Sequence, residues 1–178
     1  MIARLKELVA DWEFDAVAIG YPGRVVDGRI VGDPRHLAPG WVSFDFARIF
    51  GRPVRIVNDA ALQALGSYRG GTMLFLGLGT GLGSALVANG VLVPMELGQL
   101  PFRRSTYEDY VGKGGLNRLG KRHWRHVVDA AFQQLTAAIE VDDIVIGGGN
   151  VELLERLPAA WRRGNNDLAF VGGFRLWE

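Results

Sequence analysis

Cysteine is absent from the 178 residues. That excludes disulfides and thiolate metal sites, and it fits a reducing compartment. A run of about 18 apolar residues, the minimum for a membrane span, is also missing. So is any excess of charge: 20 basic residues stand against 19 acidic ones, a formal +1. A nucleic-acid binder would show a concentrated positive footprint, so no nucleic-acid partner is expected. The opening MIARLKELVADWEFD mixes acids with its hydrophobics and lacks a uniform apolar stretch, so it does not read as a signal peptide. The expectation is a cytoplasmic protein with no membrane partner.

What is present is a core and an unusual amount of glycine. Hydrophobic residues make up 48% of the chain, enough for a core, and aromatic residues 10%, which argues against disorder. The length suits one domain, or two small lobes sharing a cleft. Glycine occurs 25 times, about twice its ordinary share, and it clusters. In LFLGLGTGLGSALVANG, Gly77, Gly79, Gly81 and Gly83 alternate with Leu78, Thr80 and Leu82. Glycine loses more backbone freedom on ordering than any other residue. Such a run therefore needs either a sharp bend or something that approaches the backbone closely.

Periodicity predicts an alternating α/β chain. Ile2, Leu5, Leu8, Val9 and Trp12 predict an amphipathic helix, and Asp15–Gly20 a buried strand entering the turn YPGRVVDG. SFDFARIFG reads as a helix closed by Gly51 with Ser43 or Asp45 as cap, and RPVRIV as a strand before the helix AALQALGSY. Three antiparallel strands follow, with Asn89-Gly90 as a tight hairpin signal. A long helix around residues 116–139, the strand DDIVIGGG, a helix NVELLERL and a closing helix DLAFVGGFRLW complete the pattern.

Three strand ends carry unusual residues, and open α/β sheets bind ligands there. Asn58-Asp59 is either a helix cap or, at a cleft, a site where Asp59 takes a proton from a substrate hydroxyl. The turn Gly79-Thr80-Gly81 is either a tight hairpin or a nest whose N–H groups and Thr80 hydroxyl hold phosphate oxygens. It is not a Walker loop, since no Gly-Lys-Ser/Thr follows, and it does not open a helix as a dinucleotide fingerprint would. Gly147-Gly148-Gly149-Asn150 allows either close helix–strand packing or a flat backbone surface for a polyanion. Glu96 and Glu108 suit hydrogen bonds to a polyhydroxyl ligand. His123 and His126, three apart on a helix, lack a third ligand and read as a surface stripe, so no metal-ligating set is assigned.

Taken in order, GYPGRV, PGW, PVRIVNDAA, GLGTGLGSALVANGVLVPMELGQL, YEDYV and IVIGGGN resemble the ROK sugar kinases of the hexokinase–actin superfamily, most of all the polyphosphate-glucokinase type. The resemblance implies an actin-like, ribonuclease H-like fold with two lobes around a cleft. Residues 1–70 together with a final helix over 167–178 would form one lobe, and residues 71–166 the other. It implies transfer of a phosphoryl group from ATP or polyphosphate, with Mg2+, to the 6-hydroxyl of glucose or a related hexose. Asp59 would be the catalytic base. Asn58, Glu96, Gln99 and Glu108 would bind sugar hydroxyls, and Gly20-Tyr21-Pro22-Gly23 would shape the sugar side. Gly79, Thr80 and Gly81 would meet donor phosphates, and Gly147, Gly148 and Gly149 the nucleoside or polyphosphate end.

Two departures stand out. The family's Asp-x-Gly-Gly-Thr phosphate motif is nowhere in the chain, so the expectation is an incomplete N-terminal lobe short of roughly sixty residues. Gln99 also replaces the histidine of the family's Glu-Leu-Gly-His; glutamine bonds a hydroxyl but does not titrate near neutrality. The alternative reading is therefore an inactive remnant that binds sugar or a partner chain. In either case a second subunit could supply the missing edge, so a homodimer is expected. A ROK-type repressor is disfavoured, since no DNA-binding segment fits before Asp15. Arg103, Arg104, Lys113, Arg118, Lys121 and Arg122 suit either a polyphosphate path or a solvated basic face.

Overall fold

The computed structural model describes residues 2–34 and 38–178. The predicted first helix is α1 (Ile2–Leu8), which stops before Val9 and Trp12. It fully buries none of its side chains, and Leu8 and Trp12 remain exposed. Strand β1 (Val17–Tyr21) pairs in parallel with β4 (Val54–Asn58), Val17 opposite Val54 and Tyr21 opposite Asn58. Between them lie a small hairpin of β2 (Val25–Val26) and β3 (Arg29–Ile30) and the short helix α2 (Phe46–Phe50). Of the two cap candidates it is Asp45, not Ser43, that caps α2, accepting from Arg48 N, and Gly51 closes it at φ 63° as predicted. Tyr21, Ile30 and Phe46 form a small core under this layer.

Helix α3 (Asp59–Ser67) runs from the end of β4 to a five-stranded sheet. That sheet contains β5 (Thr72–Leu78), β6 (Leu82–Ala88) and β7 (Val91–Met95) as antiparallel neighbours. The hairpin between β6 and β7 turns at Asn89-Gly90, both at positive φ, as the dipeptide predicts. Beyond β7 come β8 (Pro101–Phe102) and β9 (Ser105–Thr106), then α4 (Tyr107–Val111) and α5 (Lys113–Ala137). Strand β10 (Asp143–Gly147) joins β5 in parallel, and β11 (Trp161–Arg163) joins β10. The sheet order is β11-β10-β5-β6-β7, and α6 (Leu168–Arg175) ends the chain.

Side chains alternate across a strand, and β5 divides its residues accordingly. Leu74, Leu76 and Leu78 point into one core with Trp124, Val127, Val128, Ala131 and Phe132 of α5. Met73 and Phe75 point into the other, with Ala60, Ala61 and Ala64 of α3. The strand is buried on both faces, which explains why it reads as a continuous apolar run. Helix α5 breaks its geometry at Gly120 (φ 72°, ψ 154°). Among the described residues no helix is long and apolar enough to cross a membrane.

One predicted element fails. NVELLERL is not an α-helix; it gives a single 3-10 turn, Val151–Leu153, before extended chain and the unpredicted β11. The carbonyls that a helix would have used are taken by arginines. Arg163 donates to Val151 O (2.8 Å) and Leu154 O (2.6 Å), and Arg125 to Leu153 O (2.6 Å). Tertiary hydrogen bonds override the local apolar pattern here.

Helix α6 crosses α3 with backbone against backbone. A Cβ added at Gly66 would overlap the Leu168 carbonyl, and one at Gly172 the Leu62 carbonyl. Neither obstacle is a side-chain tip that can swing aside, so the helices would have to separate. Gly66→Ala and Gly172→Ala are each expected to destabilise the protein by about 2–3 kcal/mol. Gly114→Ala, where an added Cβ meets open space, should change stability by less than about 1 kcal/mol and in the favourable direction. Urea-unfolding midpoints of the three variants check this.

Candidate active site at the strand ends

The start of α3 is where the two sheets meet. Asn58, the last residue of β4, caps α3: its side-chain oxygen accepts from Ala60 N at 2.9 Å. Its amide nitrogen also donates to Gly23 O at 3.1 Å. Asn58 is thus the helix cap, and it also ties the turn after β1 to the helix. Gly20 brings β1 against the same helix, since an added Cβ there would meet Leu62 at 2.9 Å and the Asp59 Cα at 3.3 Å. Gly23 lies against the Tyr21 ring, and the Tyr21 hydroxyl donates to Gly32 O at 3.0 Å.

Asp59 follows directly. Its carboxyl accepts from Ala60 N at 2.9 Å. The residue as a whole is open to solvent, yet the protein packed around its carboxyl desolvates it. That burial raises its pKa above the ordinary carboxylate value, while the N–H groups of Ala60 and Asp59 itself pull the other way. A raised pKa makes the ionised form a stronger proton acceptor, as a general base requires.

The glycines of the β5–β6 hairpin have separate reasons. Gly77 and Gly83 face each other in the ladder. Gly83 admits α3, where an added Cβ would stand 2.7 Å from the Cβ of Ala60; Gly77 lies under the Phe75 ring. Gly81 leaves room for the Glu108 carboxylate, which an added Cβ would overlap, whereas Gly79 faces open space. Glu108 comes from the first turn of α4, whose start is fixed by a capping box between Thr106 and Asp109. Gln99 donates to the Glu108 carboxylate at 3.3 Å, so two predicted sugar-binding side chains sit together beside Gly81.

Glu96 is held by a residue the sequence reading passed over. The buried Ser84 hydroxyl donates to Met95 O (2.9 Å) and accepts from Leu97 N (3.0 Å), fixing the backbone on both sides of Glu96. In the sequence, a serine among apolar strand residues was the only hint.

The second glycine cluster meets the first. Gly147 is opposite Gly77 in the β5–β10 register, and an added Cβ there would stand 2.6 Å from the Phe75 ring. Gly148 has φ 83° and presses on the backbone of Leu78, while Gly149 faces open space. The carbonyls of Gly79 and Thr80 are turned inward, accepting from Lys113 N at 3.2 and 3.1 Å. No peptide bond is cis among the described residues, and in a trans peptide the N–H points opposite to the C=O. The N–H groups of Thr80 and Gly81 therefore point away from Lys113.

Other candidates lie elsewhere. Arg103 and Arg118 stack on Tyr110, at 5.5 and 5.4 Å from its ring centre. His123 and His126 are exposed on α5 and line a hollow of about 520 Å³ with Leu119, Gly120, Lys121 and Arg122. Among the described residues no three His, Cys, Asp or Glu side chains gather as a metal cluster.

Asp59 makes a signed prediction about pH. Its folded pKa lies above the unfolded one, so between the two the native state binds more protons and stability falls as pH rises. Above the folded pKa the full desolvation penalty persists. Asp59→Asn should therefore be more stable than the parent at pH 7, with the difference shrinking toward pH 4 in urea titrations. Ser84→Ala should lose about 1–3 kcal/mol by stranding Met95 O and Leu97 N, read from the same titrations.

No family model matches the chain. A glucokinase from Pyrobaculum calidifontis is 33% identical over 98 residues, covering 52% of this chain and 33% of the relative. A polyphosphate glucokinase from Mycobacterium tuberculosis is 27% identical over 148 residues, covering 75% of this chain and 56% of the relative. The chain thus spans little more than half, or less, of these relatives' own length. The crystal structure of a ROK family glucokinase from Streptomyces griseus, solved with glucose and AMPPNP, superposes with a TM-score of 0.80 at 18% identity over 96% of this chain and 85% of that one. Fold, motif order and glucokinase relatives agree in their likeness: the chain is similar to the ROK sugar kinases of the glucokinase type.

Proposed function

We propose that the protein transfers a phosphoryl group to the 6-hydroxyl of glucose or a related hexose, with ATP or polyphosphate as donor. One observation carries the reading: the start of α3 sets a desolvated Asp59 between the Gly23 turn and the glycine hairpin. In this reading residues 1–70 with the helix over 167–178, and residues 71–166, are the lobes of a cleft. The hydroxyl groups of the sugar bond to Asn58, Glu96, Gln99 and Glu108 and to the backbone near Gly23. The terminal phosphate lies at the Thr80 and Gly81 N–H groups, and the rest of the donor runs along Gly147, Gly148 and Gly149.

The attacking hydroxyl gives its proton to the Asp59 carboxylate as its oxygen bonds to phosphorus. The bond from phosphorus to the leaving phosphate oxygen breaks in the same displacement. Phosphoryl transfer needs little more from a protein than positioning and charge stabilisation. Mg2+ fits as an ion carried on the donor phosphates, because the described residues offer no three-ligand cage and this ion ordinarily takes one or two carboxylates with phosphates and water. When bound it supplies neutralisation of the phosphate charge.

A second reading, a sugar-binding relative without turnover, is favoured by Gln99, which stands where a titratable histidine would be expected. The two separate in one assay: glucose 6-phosphate formation with Mg2+ and either ATP or polyphosphate, beside Asp59→Asn. The kinase reading expects product from the parent and a loss in kcat of about 10²–10⁴-fold in the variant, with glucose affinity retained by calorimetry. Glucose binding without product from either donor would favour the second reading.

A further inference from the structure

We propose that Asn150 is a positioning residue for the phosphate-facing turn, an inference that rests on the donor assignment above. Asn150 donates twice to that turn. Its backbone N–H meets Leu78 O at 2.9 Å, and its side-chain amide meets Gly79 O at 2.9 Å. Its side chain makes no cap bond to its own 3-10 turn. Gly148, at φ 83° and flush against Leu78, lets the loop approach closely enough for both bonds.

The effect concerns the direction of one peptide group. The Gly79–Thr80 peptide starts from a glycine facing open space, so little local steric force opposes its rotation. Turned over, it would present the Gly79 carbonyl where Thr80 N–H now points, and a carbonyl repels a phosphate oxygen. The Asn150 amide and Lys113 N–H hold that carbonyl inward from two directions. The side-chain partner must be a donor. A carboxylate of the same shape would face the Gly79 oxygen with a second acceptor and favour the flipped peptide.

Asn150→Ala and the isosteric Asn150→Asp are compared with the parent by calorimetric and amide-NMR titration with glucose and with inorganic tripolyphosphate plus Mg2+; unfolding midpoints confirm folding. The expected result is donor affinity reduced about tenfold in Asn150→Ala and more in Asn150→Asp, with glucose affinity unchanged. The tripolyphosphate-induced shifts of the Thr80 and Gly81 amides should shrink in the same order. Where turnover is measurable, donor KM should rise and glucose KM stay constant, a split that general loss of structure would not give. Parent-like donor binding in both variants, or equal loss for glucose and donor, would overturn the role of Asn150 alone. No response of the parent to tripolyphosphate would overturn the donor assignment and this inference together.

Discussion

The site depends on one constraint: a patch of backbone without side chains where the strands end. Gly83 lets Ala60 reach the sheet, and Asp59 is positioned because its neighbour can come that close. Gly81 leaves the volume filled by the Glu108 carboxylate, and Gly77 and Gly147 lie under one Phe75 ring. A methyl group at Gly83 or Gly147 would push α3 or the Phe75 ring aside, and with it the relation between the two sheets. The second fixed point is the α3–α6 crossing, where Gly66 and Gly172 bring helix backbones together at the far end of the same helix. Helix α3 is thus registered by glycine contacts at both of its ends.

Close packing sets distances, and a few hydrogen bonds set directions. Asn58 ties the Gly23 turn to the α3 start, Ser84 pins both sides of Glu96, and the Thr106–Asp109 box aims the first turn of α4. Each such bond contributes only about 1 kcal/mol net, less than the packing of one large core side chain such as Trp124. Their value lies in orientation, since a buried donor or acceptor left unpaired costs more than the bond contributes. Stability therefore comes mainly from the two cores on either side of β5. The geometry of the polar groups comes from bonds that add little to stability.

Most of the elements were legible in the sequence because their signals are local. The Asp45 cap and Gly51 end of α2, the Asn89-Gly90 turn and the apolar runs of β5 and β10 all follow from side-chain period and backbone sterics. Residues 151–157 were not legible, because arginines distant in sequence take the carbonyls a helix would use. The exposed side of α1 shows the same limit from the other direction: periodicity forms a helix without naming what covers it.

The site divides along the same line. By itself the sequence determined the α/β class, the strand-end position of Asn58-Asp59 and of both glycine clusters, and the likeness to sugar kinases, because each lies within a short contiguous segment. Only the tertiary structure decided why each glycine is there, that Gln99 pairs with Glu108, and that Ser84 and Asn150 orient the groups around them. The partners in each of these contacts belong to different segments of the chain. Their meeting is set by strand register and helix docking, which no local pattern encodes.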